Sequence, residues 1–336
     1  MKTSFNEIQE TYLPLIDARF EEFFANSEKN AIAWNAEMSR YHFSTGGKRL
    51  RALIPCWVFA AFGKNPKDAI SLGCALEMVH NATLVHDDLQ DGDVVRRGKP
   101  TVWKKYSEPQ SINCGDAMFQ FAFQMLCEMN LDASVFRKIA SRVTRGTLLV
   151  IEGQAQEFLM KDEEFPGVAR YLGVVQGKTA HLIATAVVSA MEALGCSAEI
   201  CAHAEKAALG SGILFQIQDD ILDIYGDKAR DRKATDIAEG KISMLVALFN
   251  ESASPSDRAR VSTILRTPRD QTTDEMISEV LSLFAKQSVL NTALQRIQEI
   301  QAQLKNDPVL AQQPEIHQLL SEMNQIFLKP ISQLLP

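Results

Sequence analysis

Two acidic clusters define the chemistry open to this chain. Asp87, Asp88 and Asp91 close an apolar, helix-forming run within HNATLVHDDLQDGDVVRRGKPT, residues 80–101. Asp219, Asp220 and Asp223 repeat the spacing in FQIQDDILD, residues 215–223. On a helix, carboxylates at i and i+4 share a face, and the third stands beside them. Carboxylate oxygens are hard ligands. They suit Mg2+, which is held by one or two carboxylates while water and substrate phosphates complete its shell. A metal on a diphosphate makes it a good leaving group. One DDxxD alone reads equally well as a solvated helix end. Two of them, each closing an apolar helix, point to ions clamped on one diphosphate.

The basic residues fit the same picture. Lys48, Arg51, Arg96, Arg97, Lys178, Lys233 and Lys241 lie at expected helix starts and loops. The arginine fork matches phosphate oxygens and lysine supplies a point charge. Gly46 and Gly47 precede Lys48, and Gly177 precedes Lys178. Glycine at such positions lets backbone approach a ligand closely. Gly177-Lys178-Thr179 is not a P-loop, because Leu172 stands where the earlier glycine is required. His80 lies about two helical turns before Asp87 and on the same side. Gln216 lies one turn before Asp219. The spacing leaves the direction of His86 open.

These residues need helices to position them. Ser4 and Glu7 form a capping box for a helix to about residue 25. Periodicity predicts helices over 32–41, from residue 50 to Gly63, and over 67–89. A loop with Gly92, Gly98 and Pro100 follows. Helices are then expected over 111–129, 133–160, 168–194 and 198–224. After an irregular polar stretch, 226–240, helix resumes at 241 and continues over 255–265, 273–305 and from 314. No stretch alternates as a strand does. The expected class is all-α, in one domain over 1–336.

The totals set limits. With 46% hydrophobic and 23% charged residues, the 336-residue chain has material for a large core. A net charge of −7 argues against a general nucleic-acid binder. The six cysteines form no CxxC pair and read as free thiols of a reducing compartment. The first residues lack the apolar core of a signal peptide. No uncharged run is long enough for a membrane span. The expectation is a soluble cytoplasmic protein.

Taken together, the motifs resemble those of the trans-isoprenyl diphosphate synthases, or polyprenyl synthetases. The matching stretches are GGKRLR at 46–51, residues 80–101, Gly153-Gln154, Gly177-Lys178-Thr179 and residues 215–223. They span most of the chain in the family's order. The resemblance implies an isoprenoid-synthase-type bundle of about ten or more helices around a central cavity. It also implies a homodimer and a Mg2+-dependent head-to-tail condensation of isopentenyl diphosphate with an allylic diphosphate. Asp87, Asp88, Asp91, Asp219, Asp220 and Asp223 are then the metal ligands. Arg96, Lys178, Lys233 and Lys241 take the allylic diphosphate. Lys48, Arg51, His80 and Arg97 take isopentenyl diphosphate. Thr179 and Gln216 stabilise the allylic cation, and Gln154 and Glu157 stand where the family has a Gln and an Asp near the metals. Three positions depart from the pattern: Ala52 replaces a common proline, Arg232 a common glycine and Glu157 an aspartate.

In the family, aromatic residues four and five before the first Asp often block the product tunnel. Here they are Thr83 and Ala82, both small. The expected product is therefore longer than farnesyl. Met78, Met118, Phe119 and Phe123 are candidates for the tunnel floor, against a plain reading as core. Geranylgeranyl diphosphate is the expected product, with farnesyl or longer polyprenyl diphosphates as alternatives. A class I terpene cyclase would carry a second motif of mixed Asn, Ser and Glu. A non-catalytic partner subunit would lack acids that this chain retains.

Overall fold

The computed structural model describes residues 3–226 and 234–335, whose regular structure is almost wholly helical. The first helices are α1 (Phe5–Ser27), α2 (Ala33–Ser44), α3 (Leu50–Ala61), α4 (Ile70–Gln90), α5 (Val102–Lys105) and α6 (Glu108–Cys127). Next come α7 (Ala133–Asp162), α8 (Val168–Val175), α9 (His181–Ala193), α10 (Ala198–Tyr225), α11 (Thr235–Ala238) and α12 (Met244–Ser252). The chain ends with α13 (Pro255–Leu265), α14 (Asp274–Lys286), α15 (Val289–Lys305) and α16 (Pro314–Leu328). The all-α expectation holds. No described helix is long and apolar enough to cross a membrane.

The helix ends follow local chemistry. Ser4 caps α1 through the expected reciprocal box with Glu7. Ser107 caps α6 and Ser243 caps α12, each side chain accepting from a backbone N–H of the first turn. Three departures from the sequence reading have physical causes. Residues 168–194 are two helices joined by one π turn, Gln176–Ala180. Residues 273–305 split where Ser288 takes a left-handed φ of 53°. The loop after α4 contains a small antiparallel hairpin, β1 (Val95–Arg96) with β2 (Lys99–Pro100). Its turn residues, Arg97 and Gly98, both have positive φ (52° and 78°), which suits a two-residue hairpin turn.

The chain forms two compact units. One comprises Met1–Thr147 with Thr185–Glu205, the other Leu148–Ala184 with Lys206–Pro336. In the first, α4 lies along α6 and against α3. Its core includes Ile8, Ile16, Phe20, Phe24, Leu53, Leu72 and Leu76, all essentially without solvent contact. Burying each such side chain contributes roughly 1.5–3 kcal/mol. Gly73 allows α4 to approach α3: a Cβ there would collide with the Ala52 carbonyl. In the second unit, Tyr171, Leu214, Ile217, Ile221, Phe249 and Phe284 belong to one buried cluster.

Candidate active site

The last turn of α4 presents the first acidic cluster, with Asp91 as the C-cap residue. Its three carboxylates are not equivalent. Asp87 is half-buried and Asp91 exposed, but Asp88 is 1% exposed and turned inward. Arg96, on the hairpin, meets Asp88 with Nε at 2.7 Å and Nη2 at 2.6 Å from Oδ1. This is the forked, charge-assisted geometry that holds a buried carboxylate best. Arg96, expected on a diphosphate, is thus paired with one of the expected metal ligands.

Of the expected isopentenyl diphosphate residues, His80, Arg51 and Arg97 lie near one another and near Arg96 in the same unit. His80 is half-buried, and its pKa lies well below the usual range because of burial and then Arg51, Arg96 and Arg97. It is therefore a neutral hydrogen-bonding group among cations. Arg51 is half-buried, and its Nε has no hydrogen-bond partner among the described residues. Lys48 and Arg97 are exposed. Arg97 donates to the carbonyl of Gly46. Gly47 has a φ of 143°, and a Cβ there would lie 2.8 Å from Arg97 Nη1. Arg49 and Arg97 are themselves left-handed, at 49° and 52°. Each costs on the order of 1–2 kcal/mol, and such backbone strain concentrates at functional sites. Beneath the cluster, His42 Nε2 lies 3.1 Å from Asn81 Oδ1, and Asn81 donates to the buried Glu77.

The other unit holds the second cluster, near the C-terminal end of α10. A chain of hydrogen bonds runs through it. Thr179 Oγ1 donates to Gln216 Oε1 at 3.0 Å, and Gln216 Nε2 donates to Asp220 Oδ1 at 2.9 Å. Asp220 Oδ2 accepts from Tyr171 at 2.6 Å and from the Met244 amide at 2.7 Å. Burial and then Asp236 hold the Asp220 carboxyl well above the usual carboxylate range. Asp223 is buried and accepts from Thr235 Oγ1 and the Asp236 amide, while Asp219 is half-buried. Lys178 pairs with Glu157. Lys241 lies 3.3 Å from Asp236 and 2.9 Å from Glu239. Burial opposes its charge, but these acids outweigh burial and raise its pKa. Lys233 lies outside the described residues.

The π turn presents Lys178 and Thr179, and π turns are frequent at functional sites. Gly177 has a structural cause different from the one read in the sequence. A Cβ on it would lie 2.8 Å from Gly153 Cα, and one on Gly153 would overlap the Lys178 amide. The two glycines let α7 and the π turn touch. Gln154, beside Gly153, is 9% exposed.

The chain-length candidates divide. Met78, Ala82 and Met118 are fully buried. Thr83 is half-buried and its hydroxyl donates to the His80 carbonyl at 2.7 Å. Phe119 is half-buried, with its ring 6.0 Å from that of His86. Phe123 is 38% exposed and lines a surface groove with Phe121 and Gln124. His86 packs into the space left by Gly115 of α6.

The donor set can be tested against a divalent cation. Among the described residues, no three His, Cys, Asp or Glu side chains form a ready-made ligand group. Mg2+ does not need one, since water and phosphate oxygens fill most of its shell. Both aspartate motifs stand at helix C-terminal ends, where the macrodipole is also negative. Hard anionic oxygens set against a negative dipole fit such a cation. The sequence reading missed three residues of these clusters: Tyr171, Asp236 and Arg49. Arg49 lies inside the GGKRLR stretch, and Asp236 stands five before Lys241. Tyr171 carried no signal beyond lying two turns before Lys178.

The chain is similar to known proteins over most of its length. The family model for polyprenyl synthetase matches residues 32–284. A geranylgeranyl diphosphate synthase of Saccharolobus solfataricus is 33% identical over 250 residues, covering 73% of this chain and 75% of that one. A short chain isoprenyl diphosphate synthase of Methanothermobacter thermautotrophicus is 29% identical over 282 residues, covering 83% and 84%. The crystal structure of geranylgeranyl pyrophosphate synthetase from Pyrococcus horikoshii superposes with a TM-score of 0.82 at 25% identity, covering 96% and 98%.

Proposed function

The chain belongs to the polyprenyl synthetase family and is a prenyltransferase, and from that premise we propose that it condenses isopentenyl diphosphate head to tail with an allylic diphosphate to give geranylgeranyl diphosphate. The observation that carries this reading is the gathering of Arg51, His80, Arg96 and Arg97 beside the Asp87–Asp91 motif. A class I cyclase has no need of such a second anion site.

Mg2+ fits the acidic residues, and when bound it supplies charge neutralisation that makes the diphosphate a better leaving group. Asp87, Asp88 and Asp91 of the first motif and Asp219, Asp220 and Asp223 of the second would hold metal ions, with Arg96 bonded to Asp88 and Tyr171 to Asp220. Arg96, Lys178, Lys233 and Lys241 bind the allylic diphosphate, and Lys48, Arg51, His80 and Arg97 bind isopentenyl diphosphate. Breaking the allylic C–O bond leaves a cation, towards which Thr179 and Gln216 offer oxygen dipoles. The isopentenyl double bond attacks that cation and forms the new C–C bond. The proton then lost passes to the departed diphosphate, so no side-chain base is needed. Ala82 and Thr83 leave room for the growing chain, and Met78, Met118 and Phe119 limit it.

Residues 1–336 act as one catalytic domain in this reading, and the enzyme works as a homodimer in the cytoplasm. Exposed apolar side chains on α6 (Ile112, Phe123) and on α7 (Leu148, Ile151, Leu159) support self-association. Free cysteines throughout support a reducing compartment. The test is product analysis with labelled isopentenyl diphosphate, Mg2+ and allylic primers of increasing length. Geranylgeranyl diphosphate is the expected product. Farnesyl diphosphate as the sole product would overturn the length argument, and no turnover with any primer would overturn the reaction.

A further inference from the structure

The C-terminal end of α2 is held by three cationic side chains from elsewhere in the same unit. Helix C-termini leave carbonyls without intrahelical partners, and cations there also complement the macrodipole. Arg49 Nη2 donates to the Phe43 carbonyl at 2.9 Å, and its Nη1 donates to the Gly46 carbonyl at 3.3 Å. Lys99 Nζ donates to the Ser44 carbonyl at 2.8 Å, and Arg97 also donates to Gly46. Tyr41 of α2 returns a bond to the Pro100 carbonyl at 2.7 Å. The hairpin bearing Arg96 and Arg97 and the loop bearing Lys48 are therefore fastened to one helix end.

Arg49 is the innermost of the three. It is 6% exposed, so its guanidinium does not reach out to a ligand. The guanidinium carbon lies 4.7 Å from the Phe43 ring centre, and Nε is 3.2 Å from Asp17 Oδ1. Its backbone does a second task. Arg49 is the N-cap residue of α3, and its carbonyl accepts from the amides of Ala52 and Leu53. One residue thus closes α2 with its side chain and opens α3 with its main chain. Lys48 precedes it, and Arg51 lies in the first turn of α3.

We propose that Arg49 is a positioning residue for the isopentenyl diphosphate site, setting the aim of Lys48 and Arg51 by locking the α2–α3 connection. This rests on the function proposed above. A lysine keeps the charge but has no planar fork, so it cannot hold two carbonyls and a carboxylate together.

The experiment is steady-state kinetics of Arg49→Lys with each substrate varied in turn. The expected result is a KM for isopentenyl diphosphate raised about tenfold, with kcat and the allylic KM changed less than about threefold. Asp17→Asn removes the exposed ion-pair partner and leaves both carbonyl bonds, so both KM values stay within about twofold. A merely structural role would lower the active fraction, and with it kcat, without separating the two KM values. That result, or equal rises in both KM values, overturns the proposal. If Arg49→Lys does not fold, Arg49→Gln, which keeps a planar donor for the Phe43 carbonyl, must show the same one-sided KM rise; an unchanged isopentenyl diphosphate KM then overturns the proposal. A wild-type enzyme that consumes no isopentenyl diphosphate overturns the underlying function as well, and this shows before any variant is compared.

Discussion

His42 supplies a test of the electrostatics beneath the arginine cluster. Its ring is 2% exposed and lies 3.1 Å from the acceptor Asn81 Oδ1, so Nε2 carries the proton. Burial, then Arg96 and Arg97, push its pKa down to about 3 against the Asn81 hydrogen bond. In the unfolded chain the value returns to about 6.5. Between these values the unfolded chain takes up a proton that the native ring refuses. This contribution to stability is therefore present at neutral pH. It is lost as pH falls below 6.5, and the loss stops near 3. At pH 5 the difference is RT ln(1 + 10^1.5), about 2 kcal/mol, and at pH 7.5 it is below about 0.1 kcal/mol. His42→Gln removes the titration and keeps a donor for Asn81. Asp220 and Asp236, held above the usual carboxylate range, contribute a slope of the opposite sign. They are common to both proteins and cancel in the comparison. Urea unfolding at the two pH values should show the stability difference moving by about 2 kcal/mol in favour of His42→Gln at pH 5. Parallel pH dependences would refute a neutral buried His42.

Further outcomes follow from other contacts. Arg96→Gln strips the forked partner from Asp88, which is 1% exposed. Its unfolding free energy should fall by about 3–5 kcal/mol, and adding Asp88→Asn should recover part of the loss; an unchanged melting curve would contradict the pairing. Gly153→Ala forces a Cβ onto the Lys178 amide and should cost about 1–3 kcal/mol by denaturant unfolding. Ala82→Phe fills a fully buried position on α4. Its product profile on chromatography should shift towards farnesyl diphosphate, and an unchanged profile would remove Ala82 from length control.

Most helices were legible in the sequence, because their apolar period, capping residues and glycine stops act locally. The Ser4–Glu7 box and the 255–265 helix stand as read. The π turn at Gln176–Ala180 was not legible, since neighbouring sequence continues in good helix on both sides; it lies where Gly177 meets Gly153 of α7. The hairpin was hidden for a similar reason. Two residues per strand make no alternation, and its register is held by Arg97, Lys99 and Pro100 contacts to residues more than fifty positions away.

The paired aspartate motifs, their basic complement and the small residues before the first motif were legible without the fold. These are statements about residue type and helical spacing, which the chain carries locally. Tertiary structure alone decided direction. Helical period groups Asp87, Asp88 and Asp91 at one helix end, but in the fold Asp88 is buried against Arg96 while Asp91 stays exposed. Phe119 and Phe123 share a face as spaced, yet the packing of α6 buries Met118 and leaves Phe123 outside. Arg49 looked like one more cation of a basic motif. Its partners are carbonyls on a neighbouring helix, and no local pattern encodes which distant carbonyls a buried guanidinium will meet.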